Sequence, residues 1–480
     1  MEMVTESGMA GLQDVKSVLV VGLGISGMAA AGRLLREGMR VTVNDISEAD
    51  PIRAVAADLS SRGARSVLGH HEPSLLAEVD LVVVSPGVPS RLPLLQEAEA
   101  RGITVWSEVE LAWRFARGPV VAVTGTNGKT TTVSMIAWIC GQAGRPAVAA
   151  GNIGHPFITA VEEAGPGDIL VVEVSSFQLT FTHEFRPAVA VLLNIAEDHF
   201  DWHTDMEEYV KAKSRIWMNQ GDGDVVVCNL DDPLCAREAA GAPSRVLYFS
   251  CRPDPLAALR LSGGRIIYHL VPGPEGALEP REVMRAEDLT LPGEHNLENA
   301  MAAAGAAISL GIESRVVGEA LASFRGLSHR LQFVAEVGGV SFYNDSKATN
   351  PHAALRALSA FPGPLVVILG GRNKGLSFTE LAATLRERGR MGNVRAVYLI
   401  GEAAQEILAA LEGAGEELNV QVLPGLEEVF ARLPDVVEAG DVVLFSPACA
   451  SFDRYDDYKH RGRHFQDMVE AYREGGEASG

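Results

Sequence analysis

From Gly125 to Thr132 the chain reads Gly-Thr-Asn-Gly-Lys-Thr-Thr-Thr, residue types suited to holding a polyphosphate. Gly125 and Gly128 let backbone N–H groups close on anionic oxygens, with Thr126 and Asn127 completing the loop. Lys129 can reach terminal phosphates, and a hydroxyl of Thr130 or Thr131 can ligate Mg2+. Together they read as a nucleoside triphosphate cradle. The general form G-x-x-x-x-G-K-[ST] would put its first glycine at 123, where Val123 stands, so a generic kinase or GTPase is not the first inference.

Other residues have the types for related chemistry. Glu173 sits near the end of an apolar run, Asp168 to Val174, where a carboxylate is costly unless paired or bound to metal. The stretch Asn194 to His203 is dense in potential ligands. His199 and His203 are four apart with Asp201 between them, which suits Mg2+, zinc or a plain surface pair. Gly22-Leu23-Gly24-Ile25-Ser26-Gly27 is a G-x-G-x-x-G turn, and Asp45 follows at the distance where an acid meets a ribose in dinucleotide folds. NAD therefore competes here with a nucleotide-linked substrate. The substrate is favoured because a separate segment supplies the triphosphate loop. Asn152, in Gly151-Asn152-Ile153-Gly154, can bond a substrate sugar or simply shape a turn, and Asn299 can read an adenine edge or cap a helix.

These residues need elements to hold them. Val120–Val123 is a β-branched strand, and Val133, Ile136, Ala137 and Cys140 keep helical spacing after it. Apolar strands at 16–21, 40–43 and 79–84 end in Gly22–Gly27, Asn44-Asp45 and Ser85-Pro86-Gly87. Strands at 339–343, 365–369 and 442–445 end in Asn344–Pro351, Gly370–Gly375 and Ser446–Asp453. In open parallel sheets ligands bind at such carboxyl ends, so Lys347, Thr349, Lys374 and Ser451 would share a crevice suited to carboxylates. The expected fold is α/β in three domains: a Rossmann-like domain at 1–111, a P-loop ATPase-like domain at 112–312 and a second Rossmann-like domain at 313–480. The hydrophilic stretch from 233 to 289 is expected to be irregular, with shorter strands such as 265–270 and no chemistry.

With 47% hydrophobic and 21% charged residues the composition is globular, and a formal net charge of −21 disfavours nucleic acid or an anionic membrane as partner. Five cysteines without a C-x-x-C pair give neither a disulfide framework nor a thiolate zinc site, and Cys449 has no identifiable base beside it. The acidic N-terminal residues lack an apolar core and no apolar run reaches spanning length, so a cytoplasmic protein without membrane insertion is expected.

The conjunction of GTNGKT, GNIG, EVSSFQL, NIAEDHFDWH, GEHNLENA, SHR, NDSKATNP and SPACASFD resembles the Mur ligase family of cell-wall amide-forming enzymes, with NDSKATN and SPACASFD closest to its D-glutamate-adding branch. The match spans all three expected domains. It implies an ATP-dependent acid–amino-acid ligase, acting as a monomer on UDP-N-acetylmuramoyl-L-alanine, D-glutamate and ATP. By the resemblance the first turn holds UDP rather than NAD, with Ser26, Asp45, Ile46 and Gly87 near uridine and diphosphate and Asn152 on the sugar portion. Two Mg2+ ions are implied, ligated by Thr130, Glu173, His199 and a carbamylated Lys213; Lys129, Lys213 and His199 form the catalytic set. Asn299, Arg330 and Asp345 would contact ATP, while Lys347, Thr349, Lys374, Ser451, Phe452 and Tyr458 would receive D-glutamate. Phe452 and Tyr458 stand where relatives carry leucine and phenylalanine. A folate polyglutamate-adding ligase is the nearest alternative within the resemblance.

Overall fold

The computed structural model describes residues 11–153, 155–196, 202–269, 280–411 and 418–477. Its strands form three sheets. In the first, five parallel strands lie in the order Arg65–Leu68, Arg40–Asp45, Ser17–Val21, Leu81–Val84, Thr104–Ser107. The chain enters at Ser17–Val21, winds one way, then returns to the other side, which leaves a crevice at the carboxyl end of that strand. Leu81–Val84 is buried at every position, the continuous apolar run expected of a strand covered on both faces.

The second sheet has nine strands. Val120–Thr124 lies between Ile169–Glu173 and Val189–Leu192, all parallel, so its carboxyl end is again a switch point. The phosphate loop is therefore at the position where α/β sheets take ligands. From Pro233 to Asp288 the described chain is more regular than its hydrophilicity suggested: a helix at Pro233–Ala239 and strands at Arg245–Ser250, Leu259–Ser262, Arg265–Tyr268 and Arg281–Arg285 extend the sheet, the last two pairings antiparallel. An edge with one solvated face needs only alternate apolar residues, and the polar ones mask the pattern.

The third sheet orders Gln332–Val337, Val340–Asn344, Val442–Phe445, Leu365–Gly370, Val394–Ile400 and Val420–Val422, with only the first pair antiparallel. Val442–Phe445 is the central strand that separates the other two ligand-bearing ends. No described helix is long and apolar enough to cross a membrane.

Two compact units emerge: Met1–Asp288 with Leu297–Ser323, which carries the first two sheets, and Leu289–Asn296 with Phe324–Gly480, which carries the third. Within the former, a buried carboxylate joins the sheets. Glu110, in the short helix Glu108–Trp113, is fully buried and accepts the backbone N–H groups of His183, Glu184 and Phe185 as well as two guanidinium nitrogens of Arg114. A polar group survives such burial only with its hydrogen-bonding positions filled.

Candidate active site

A cleft of about 450 Å3 opens at the carboxyl end of the first sheet. Its walls include Gly22, Ser26, Asp45, Ile46 and Gly87, and Asn152 with Gly151 and Pro156 from the second sheet's side. All the residues anticipated for the UDP end thus meet in one cavity. Gly24 caps the helix Ile25–Arg36 without a side-chain hydrogen bond, so the first N–H groups of that helix are available to an anion. Asp45 braces the turn, one oxygen accepting Leu23 N–H at 2.7 Å and the other Ser47 N–H at 2.8 Å. That service accounts for an acid here without a ribose.

Gly27 packs closely against Gly22 and Ser85 of the cleft lining. A Cβ added there would lie 1.8 Å from the Gly22 carbonyl oxygen and 2.6 Å from Ser85 Oγ, itself donating to that carbonyl at 2.7 Å. We expect Gly27→Ala to lose roughly 2 kcal/mol or more of stability by forcing the helix off the strand, read as a lower urea midpoint. An unchanged midpoint would contradict this packing.

The cleft connects to the phosphate loop through the backbone. Gly151 pairs with Glu173, Asn152 N–H donates to the Glu173 carbonyl at 3.1 Å, and the buried Glu173 carboxylate accepts Thr130 Oγ–H at 2.6 Å. Glu173 is held at its strand end because a helix starts at once: Ser175 Oγ accepts Gln178 N–H while Gln178 Oε1 accepts Ser175 N–H.

In the loop, Lys129 Nζ folds back to donate to the carbonyls of Gly125 and Thr126, both at 2.8 Å. Thr126 Oγ accepts Ala196 N–H, Asn127 N–H donates to Asn194 Oδ1, and Thr131 is half-buried on the first helical turn. Gly128 caps the helix Lys129–Gln142 with φ +83°, and a Cβ there would come within 2.1 Å of Asn299 Oδ1. Asn299 therefore presses on the loop itself, and it accepts Thr132 Oγ–H at 3.3 Å. Lys213 is 1% exposed; its Nζ donates to the Gly125 carbonyl at 2.9 Å and sits 4.4 Å from the Tyr209 ring centroid. His199 and Asp201 lie outside the described residues. His203 is buried with Nε2 2.9 Å from Ser176 Oγ, so it is not a surface histidine.

Among these neighbours Glu108 is fully buried, its Oε1 accepting Ile158 N–H at 2.7 Å just beyond Pro156 of the cleft wall, with Oε2 unpartnered among the described residues. Burial pushes its pKa from 4.5 to about 7. The folded-state value is the higher one, so the stabilisation is complete below pH 4.5, declines as pH rises towards 7, and is gone above it. The wild type should lose roughly 3 kcal/mol across that window that Glu108→Gln does not lose, measured as urea midpoints from pH 4.5 to 8. Parallel curves for the two proteins would refute the assignment.

The other compact unit carries its own cluster at the ends of Val340–Asn344 and Val442–Phe445. Asp345 is buried, accepts Ser446 Oγ–H at 2.8 Å and Leu331 N–H at 3.2 Å, and is pushed up to about 7 by burial. Arg330, half-buried, precedes Leu331. Lys347 Nζ lies 4.0 Å from the Tyr458 ring centroid, and its N–H donates to the His329 carbonyl at 2.9 Å. Thr349 is half-buried and Ser451 buried, while Lys374 and Phe452 are exposed, Phe452 by 60%. Cys449 is 1% exposed and burial pushes its thiol up to about 12, which fits a small core residue and not a nucleophile.

Two residues here escaped the sequence reading. His71 lines the cleft, and its only sequence signal was a His-His pair just after an unrecognised short strand. Arg461, 2% exposed, donates to Ser346 Oγ, the Ser346 carbonyl and the Cys449 carbonyl at 3.0, 2.7 and 3.0 Å. In a helix with so many charges, Tyr458–Glu477, nothing in the sequence sets that arginine apart.

Three family models match in succession: Mur ligase MurD-like, N-terminal domain over 16–107, Mur ligase middle domain over 123–307, and Mur ligase, glutamate ligase domain over 329–449. A protein of Pelotomaculum thermopropionicum named UDP-N-acetylmuramoylalanine--D-glutamate ligase is 44% identical over 460 residues, covering 96% of this chain and 98% of its own. The chain belongs to the Mur ligase family. A second Mur ligase of the same name, from Acidobacterium capsulatum, is 42% identical with 95% and 97% covered. Among solved Mur ligase structures, the MurF ligase of Thermotoga maritima in complex with ADP superposes with TM-score 0.56 at 19% identity, 96% of each chain covered. The UDP-N-acetylmuramate-alanine ligase of the same organism gives TM-score 0.53 at 20% identity, covering 95% of this chain and 99% of that one. At such identities these two speak for the fold alone.

Proposed function

We propose that this Mur ligase joins D-glutamate to UDP-N-acetylmuramoyl-L-alanine with hydrolysis of ATP, as a cytoplasmic monomer in peptidoglycan synthesis. The observation that carries it is the short path Asn152–Glu173–Thr130, which ties the wall of the first-sheet cleft to the phosphate loop. A nucleotide-linked acceptor in the cleft and a phosphoryl donor on the loop would meet there. The D-glutamate assignment is further supported by the names of the relatives at 44% and 42% identity.

In this reading the UDP diphosphate lies on the uncapped start of Ile25–Arg36, with Ser26, Asp45, Ile46 and Gly87 around the nucleoside and Asn152 at the sugar. ATP lies on Gly125–Thr131, with Asn299, Arg330 and Asp345 as further contacts. Lys129 leaves its own loop carbonyls for the terminal phosphates. The L-alanyl carboxylate attacks the γ-phosphate, giving an acyl phosphate and ADP; the D-glutamate amine then attacks the carbonyl carbon and phosphate departs. Lys347, Thr349, Lys374, Ser451, Phe452 and Tyr458 would hold D-glutamate.

Thr130 and the buried Glu173 offer oxygen donors of the kind Mg2+ takes, so the set fits one ion. Lys213 as an ammonium cannot ligate, but a carbamate on its nitrogen would present oxygen for a second ion, with His199 as an added ligand of the first. When bound, Mg2+ would neutralise phosphoryl charge.

The test is phosphate release from ATP with UDP-N-acetylmuramoyl-L-alanine across a panel of D- and L-amino acids, with product masses measured. Release that depends on D-glutamate, with a product heavier by one glutamyl residue, is expected. Release with a folate acceptor instead, or with no amino acid, would overturn the reading.

A further inference from the structure

The cleft has two chemically different ends. Gly151 and Asn152 close one of them, beside Glu173 and the phosphate loop, so the reacting carboxylate of a substrate must point that way. At the other, the wall passes from the helix start at Ile25 across Asp45 and Ile46 to His71, which follows the outermost strand of the sheet, Arg65–Leu68. With the diphosphate on the helix start between them, the nucleobase falls at the His71 end. Ile25 and Ile46 are 60% and 61% exposed there, two apolar surfaces that a planar base would cover.

Hydrogen bonding fixes the tautomer of His71. Asn44 is fully buried, and its Nδ2 donates to the carbonyls of Val67 and His70 at 2.9 and 2.8 Å. Its Oδ1 is therefore the acceptor that faces His71 Nδ1 at 2.6 Å, so the imidazole proton resides on Nδ1. In the neutral ring Nε2 then carries a lone pair. Burial lowers the pKa of this histidine, against the opposing pull of Asp45, and so favours the neutral form.

We propose that His71 is the residue that selects the base of the substrate, its Nε2 accepting the N3–H of uracil. This rests on the uridine-nucleotide reading of the cleft. Cytosine has an unprotonated N3 and would set two lone pairs against each other, so the geometry rejects it. Such discrimination comes from leaving a site's polar atom unpaired with the wrong ligand.

The experiment is isothermal titration of UDP, CDP and N3-methyl-UDP into the wild type, His71→Ala and His71→Gln, with melting temperatures to show that each variant is folded. The wild type should bind UDP about tenfold tighter than either analogue. His71→Ala should weaken UDP by about tenfold and bring all three ligands within about twofold of one another, and His71→Gln, whose amide oxygen can accept in place of Nε2, should restore part of the preference. UDP binding unchanged by His71→Ala, or a preference for UDP that persists in it, would overturn the proposal. Failure of UDP to bind the wild type at all would overturn the uridine reading itself.

Discussion

Lys129→Ala is expected to reduce turnover by about 10³-fold or more while leaving UDP affinity for the first-sheet cleft unchanged. The asymmetry follows from where the ammonium sits. Nζ donates to the Gly125 and Thr126 carbonyls of its own loop, and the cleft walls are built from other strand ends. A charge aimed at a phosphoryl group acts mainly where negative charge develops, so its removal should fall on kcat. Lys129→Arg should rescue little, because a planar guanidinium cannot reproduce a compact ammonium in a loop this tight. Steady-state kinetics with UDP titration would check it. Retained turnover, or loss of UDP binding alongside turnover, would contradict the separate roles.

Arg461→Met should raise the KM for D-glutamate by tenfold or more with the KM for the UDP substrate unchanged. Its guanidinium ties two strand-end loops, one at Ser346 and one at Cys449, and the residues proposed to hold D-glutamate flank those points: Lys347 and Thr349 on one side, Ser451 and Phe452 on the other. Burial holds this arginine down at about 10, evidence of how dry its surroundings are. Methionine fills similar volume without the bonds, and it would free three buried acceptors at roughly 1–3 kcal/mol of desolvation each. Comparison of KM values for all three substrates decides it; an equal rise in each would indicate general unfolding instead of a loosened amino-acid pocket.

Much of this fold was legible because its ligand-bearing strands are buried on both faces. Runs such as Val120–Thr124 and Leu365–Gly370 announce themselves as continuous β-branched or apolar stretches, and the glycine-rich turns after them mark the carboxyl ends. Strands with a solvated face, such as Leu259–Ser262 and Arg281–Arg285, interleave polar residues and stayed hidden. The cleft residues Ser26, Asp45, Ile46, Gly87 and Asn152 were recoverable from turns and from family resemblance. His71 and Arg461 were not, because their significance lies in contacts to residues distant in sequence: Asn44 for the histidine, Ser346 and Cys449 for the arginine. Periodicity cannot report such contacts.

Glu110 carries an implication for the mechanics of the molecule. Its carboxylate gathers three consecutive N–H groups, at 183, 184 and 185, from the chain that follows the second sheet's Glu173, while its own helix leads out of the first sheet. Such a clasp resists sliding of either part, because that would break several hydrogen bonds to a buried carboxyl group. The nucleotide cleft and the phosphate loop therefore share a fixed frame. A substrate placed in one is already at a set distance from the other, and the alignment of acceptor with phosphoryl donor is built in when the chain folds rather than assembled at each encounter.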